Sequence, residues 1–143
     1  MDQAFPGTRI DTEVTSGVHT LLLHQPGLLR PTNALELSDG TLRFLYLAAA
    51  LLTPRPPGLL VLNEPETGLN PAVTGSLCEL ITMAAERSQV ILTTHSDLLA
   101  DKLEGGGATS VRLRRSGDGT TVVDECHSGG GLHPGAGIGS DER

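Results

Sequence analysis

Two short runs with a buried-strand pattern set the fold. Gly58–Leu62 and Gln89–Thr94 (QVILTT) carry no polar alternation across their apolar residues. Both therefore read as strands, over 58–62 and 89–94, covered on both faces as in a parallel sheet. Between them Val73, Leu77, Leu80, Ile81 and Ala84 recur at helical spacing, so a helix over 71–87 has one apolar face. Asn70 and Pro71 supply its N-cap and first-turn proline. Ser96 caps a further helix over 97–103 that carries Leu98, Leu99 and Leu103, until Gly105, Gly106 and Gly107 stop it. Strand, helix, strand, helix predicts an α/β fold built on a parallel sheet.

The flanks are of a different kind. Thr41 to Leu52 is apolar on every side and predicts a buried helix over 41–53, ended by Pro54, Pro56 and Pro57. Residues 9–24, with Ile10, Val14, Val18 and Leu21–Leu23 around Ser16-Gly17, predict an antiparallel hairpin. A second hairpin is expected from Val111–Arg115 and Thr120–Asp124, with Val111 and Leu113 facing inward and Arg112, Arg114 and Arg115 outward. Residues 1–127 are expected to form the folded lobe and 128–143 a flexible Gly-rich tail.

Composition excludes several functions. Aromatic residues are only 2%, which leaves no material for a base-stacking platform. A formal charge of −7 opposes attraction to nucleic acid or anionic membranes. Cys78 and Cys126 make neither a disulfide framework nor a zinc site, and a reducing cytoplasm is the expected location. The longest apolar run, Phe44–Leu52, is too short to span a bilayer. His19, His24, His127 and His133 lack metal-ligand spacing.

Three polar clusters follow one another along the chain. Ser38, Asp39 and Gly40 lie just before a helix, where free N–H groups, a hydroxyl and the positive dipole end converge on an anion, or where Ser38 is simply an N-cap. Asn63 and Glu64 project from the carboxyl end of a parallel strand, the edge where open α/β sheets place ligands. A carboxylate there can orient or deprotonate a water that attacks phosphate, or remain a solvated side chain. His95 ends the next strand, on the same edge.

Taken together, these clusters resemble the ATPase heads of the ABC class, and more closely the RecF/SMC-like AAA-family ATPases. Leu37-Ser38-Asp39-Gly40-Thr41 is similar to their signature loop, residues 59–66 (LLVLNEPE) to Walker B with its catalytic glutamate, Gly68–Pro71 to the D-loop, and His95 to the switch histidine. The resemblance covers residues 35–103 most closely and implies ATP with Mg2+, sandwiched between two heads. It implies that Ser38, Asp39 and Gly40 touch nucleotide on a partner head, a second copy or a full-length homologue. Glu64 would be the base for the attacking water, His95 would sense the γ-phosphate, and Asn70 would lie at the dimer seam.

Two departures qualify it. No G-x-x-x-x-G-K-[ST] loop occurs, and the only lysine, Lys102, has no glycines before it. The chain is therefore expected to be the C-terminal part of a P-loop ATPase with its phosphate cradle elsewhere. Its strand 89–94 should then present an unpaired edge. Any nucleic acid would be met by the missing half alone, and no membrane is expected as a partner. Asn63 stands where Walker B usually has aspartate, so Mg2+ would be held weakly, through water. The alternative is a non-catalytic module that docks on a complete ATPase head through its signature face.

Overall fold

The computed structural model describes residues 4–127; the expected tail over 128–143 lies outside them. The chain divides into two compact units, Met1–Leu103 and Glu104–Arg143.

The first unit opens with the expected hairpin. Strands β1 (Arg9–Thr15) and β2 (Val18–His24) pair antiparallel from Arg9↔His24 to Thr15↔Val18. Ser16 and Gly17 turn the chain at φ 52° and 81°, the left-handed pair that a two-residue hairpin turn needs. A short strand β3 (Thr32–Asn33) adds to β2. Asn33 then caps a 3-10 turn, Ala34–Glu36: its Oδ1 accepts from Leu35 N–H at 2.9 Å, and Glu36 Oε2 accepts from Asn33 N–H at 3.1 Å. Arg30 grips the same carboxylate at 2.7 and 3.0 Å.

Helix α1 (Asp39–Leu51) starts two residues before its predicted boundary because Ser38 caps it. It is not buried on every side. Phe44, Leu45, Ala48 and Leu51 face the core, whereas Tyr46 and Leu52 are exposed. A helix lying on the surface of a small unit has one neighbouring layer, so one stripe is all it can bury.

Strand β4 (Leu59–Asn63), a 3-10 turn at Pro71–Val73, helix α2 (Thr74–Ala85), strand β5 (Gln89–Thr93) and helix α3 (Asp97–Gly105) follow the predicted order. The α2 stripe Val73, Leu77, Cys78, Ile81 and Ala84 meets Phe44, Ala48 and Leu51 of α1 and Leu99 and Leu103 of α3 in one apolar cluster. Leu60, Leu62, Val90 and Leu92 pack beneath it, and Phe5 meets Phe44 edge-on at 5.4 Å. Strands β4 and β5 are parallel, in register from Leu59↔Gln89 to Asn63↔Thr93. Ser88 fixes that register: its hydroxyl donates to Pro57 O at 2.8 Å, next to the Gln89 N–H to Gly58 O bond.

The expectation of two covered faces fails here. Both strands alternate, with Leu59 (47% exposed), Val61 (67%) and Ile91 (48%) bare on the face opposite α2. The helices cover one side only, and among the described residues no third strand joins this sheet. Among the described residues the outer edge of β5 has no partner strand, as expected, and it borders a bare apolar face.

In the second unit β6 (Ser110–Arg115) pairs antiparallel with β7 (Thr121–His127), the second expected hairpin, with an irregularity between Arg112 and Leu113. Its predicted facing is inverted at the start of β6. Val111 (55%) and Leu113 (66%) are exposed, while Ser110 and Arg112 are half-buried, Arg112 lying 3.5 Å from Glu104. A two-stranded ribbon offers little apolar shelter, so the ion-paired side sets the phase.

Candidate functional site

The C-terminal ends of β4 and β5 bring the second and third clusters together. Asn63 and Thr93 are register partners, and the Thr93 hydroxyl donates to Asn63 Oδ1 at 2.7 Å. One residue on, Glu64 takes φ 45°, a left-handed conformation that costs a non-glycine residue roughly 1–2 kcal/mol. Its surroundings hold it there. Glu64 N–H donates to Thr93 O at 2.9 Å, and Glu64 O accepts from Thr67 N–H at 3.1 Å and from Arg43 Nη2 at 3.3 Å. Pro65, fully buried, anchors the following residue.

That backbone turns the Glu64 carboxylate toward His95. Oε1 lies 3.1 Å from His95 Nε2, and Oε2 accepts from the Thr67 hydroxyl at 3.2 Å. The pair is open to water, the imidazole side chain being 88% exposed and the carboxylate side chain 37%. A carboxylate so placed can take a proton from a bound water, and the imidazole beside it can donate to an anion.

The first cluster reaches this edge through its backbone. Ser38 Oγ accepts from Thr41 N–H at 3.2 Å and shares a 2.8 Å bond with Thr41 Oγ1, the ordinary N-cap arrangement. Asp39 is exposed in the first turn. Gly40 lies against the loop after β4: a Cβ built there would stand 2.8 Å from Gly68 O. The Arg43 side chain runs along the same loop, 3.9 Å from where a Gly68 Cβ would be. The start of α1 thus abuts the segment that carries Glu64. Asn70 Oδ1 is used as a cap, accepting from Ala72 N–H at 2.9 Å, and its side chain remains at the surface.

Sequence reasoning gave no part to Arg43, Thr67, Thr93 or Thr94. A pair of threonines closing a strand just before His95 was the available signal for the last two; Arg43 and Thr67 carried none. Cys78 is buried, and burial pushes its thiol up, which keeps it an unreactive core residue. Among the described residues no group of three or more His, Cys, Asp or Glu side chains could hold a metal ion. No described helix is long and apolar enough to cross a membrane.

The fold is that of a P-loop NTPase-like domain, similar to SMC ATPase heads. The chain belongs to the family described as "AAA domain, putative AbiEii toxin, Type IV TA system", whose model matches residues 3–101. It is 37% identical to the Nod factor export ATP-binding protein I of Rhizobium etli over 107 residues, 68% of this chain and 33% of that protein. With ABC transporter A family member 10 of Dictyostelium discoideum it shares 36% identity over 78 residues, 52% of this chain and 9% of that one. The chain thus spans a third or less of these curated relatives. Among solved structures, one reported as "Structural biochemistry of ATP-driven dimerization and DNA stimulated activation of SMC ATPases" superposes with a TM-score of 0.66. That match covers 86% of this chain and 76% of the other, at 19% identity.

Proposed function

We propose that this chain is the C-terminal lobe of an ABC-type ATPase head and acts in hydrolysis of the β–γ bond of ATP, with the phosphate-gripping Walker A loop supplied by another segment or another chain. The observation that carries this reading is the 3.1 Å contact between Glu64 and His95 at the carboxyl ends of two paired parallel strands. The missing G-x-x-x-x-G-K-[ST] pattern and the bare face of β4 and β5 support the shared cradle.

In this reading Glu64, the end of a Walker B strand, is the general base. It receives the proton of the water that attacks the terminal phosphoryl group. His95 donates to an oxygen of that group and so reports its presence. Ser38 and Gly40, with Asp39 between them, form the surface presented to nucleotide held by a partner head, and Asn70 lies at the seam between heads. The relative named for ATP-driven dimerization supports an ATPase head as the partner, either a second copy or a full-length homologue. Catalysis of this kind is mainly positioning and electrostatics, so the base without the cradle leaves little activity.

Magnesium, which the resemblance implies, lacks a matching ligand set in the described residues. Asn63 is neutral and its Oδ1 already accepts from Thr93, while both Glu64 oxygens are engaged by His95 and Thr67. Asn63 could meet the metal's water shell with one remaining lone pair, and supplies no charge.

Calorimetry with ATP tests the shared cradle. The 143-residue chain alone should show no submicromolar binding; tight binding would refute the missing grip. Hydrolysis by an assembly that includes a Walker A partner tests the base: Glu64→Gln should abolish turnover with ATP still bound, and wild-type turnover would remove Glu64 from the role.

A further inference from the structure

Glu66 has no part in the chemistry above, yet it joins the two loops that meet at the Glu64–His95 contact. Its carboxylate Oε1 accepts from the Thr94 hydroxyl across the gap between the ends of β4 and β5. The same Thr94 oxygen accepts from Ser96 N–H at 2.9 Å. Ser96 then starts α3, its Oγ accepting from Leu99 N–H at 3.3 Å and its carbonyl from Ala100 N–H at 3.0 Å. On the other side, Glu66 O accepts from Leu69 N–H at 3.0 Å, inside the loop that follows Glu64.

We infer that Glu66 is a positioning residue, which through the Thr94 hydroxyl fixes the turn holding His95 against Glu64. A threonine hydroxyl has one proton and two lone pairs. The Thr94 proton points at Glu66 Oε1, and the lone pairs are left to the Ser96 N–H. The hydrogen-bond chain then has one direction, and the backbone on both sides of His95 is set by it. The imidazole itself is 88% exposed, so almost no packing holds it, and the braced turn must supply its aim.

The remaining carboxylate oxygen strengthens the case. Glu66 Oε2 is buried and has no hydrogen-bond partner among the described residues. A buried unpaired carboxylate oxygen is costly, and an apolar side chain would avoid that cost. A carboxylate at this place therefore does more than fill space. What this brace means for turnover rests on the ATPase reading; the brace itself does not.

Side-chain nuclear magnetic resonance of His95 in the full 143-residue chain tests it without an activity assay. Loss of one imidazole signal set in His95→Gln assigns the ring. Glu64→Gln removes the carboxylate beside it and sets the reference displacement of the ring resonances. Glu66→Ala should reproduce at least half of that displacement, and Thr94→Val should match Glu66→Ala. The double variant should add nothing further, and Glu66→Gln, which keeps an acceptor oxygen, should recover at least half. If Glu66→Ala fails to fold, Thr94→Val decides alone, since it removes only the hydroxyl. His95 resonances that stay within a tenth of the reference displacement in these variants would overturn the inference. A positive result with a hydrolysing Glu64→Gln assembly would uphold the brace and separately remove Glu64 from the role of base.

Discussion

Replacing Gly40 by alanine tests the close approach that links the start of α1 to the loop carrying Glu64. The added Cβ would stand 2.8 Å from Gly68 O, whereas a tolerated carbon–oxygen contact begins at roughly 3.3 Å. One of the two backbones must move by about 0.5 Å, and overpacking of that kind costs about 1–3 kcal/mol. Against it stands the usual gain from Gly to Ala in a helix, at most about 1 kcal/mol. Gly75 is the internal control: it too lies in the first turn of a helix, and a Cβ there meets nothing within 4 Å. Gly75→Ala should therefore stabilise the chain by about 0.5–1 kcal/mol. Gly40→Ala should fall below it by about 1–3 kcal/mol, the size of the clash. Urea unfolding of the two variants side by side, with equal slopes, measures that difference directly. Equal stabilisation by both would show that Gly68 O yields freely and that α1 does not press on the Glu64 loop.

The Glu36 carboxyl is lowered to about 2, chiefly by its hydrogen bond from Arg30. Its contribution to stability is complete above the ordinary carboxylate range and is lost as pH falls from about 4.5 toward 2, because the unfolded chain takes up the proton first. Arg30→Ala should return the Glu36 titration, followed by carbon resonance, toward the ordinary range; an unchanged titration would refute the pairing. Val61→Lys, on the bare sheet face, should leave the unfolding free energy of the chain within about 0.5 kcal/mol, measured by urea unfolding. A large loss of stability would mean that this face is already covered.

The order of elements was legible because each rests on local chemistry. The α2 stripe, the Ser38 and Asn70 caps, the Ser16-Gly17 turn and the strand ends at Asn63 and Thr93 are all written in adjacent residues. The shared edge of Glu64 and His95 was legible to the same depth. Glu64 and His95 could be named from their places at strand ends, since parallel neighbours put such ends on one edge.

What the amino-acid order left open were matters of facing. The apolar stretches Leu59–Leu62 of β4 and Val90–Leu92 of β5 carry no alternation, so nothing in them says which face lies bare; packing α2 on one side decided it. The phase of β6 likewise turned on an Arg112–Glu104 pairing that no periodicity announces. Arg43 and Glu66 matter here through bonds to residues 21 and 28 positions away, and only folding brings such partners within hydrogen-bond reach. Sequence alone determined the elements and the residue types at their tips, because caps, turns and periodicity act over a few residues. Tertiary structure alone decided which tips touch, because a contact of about 3 Å requires the whole sheet register to be correct.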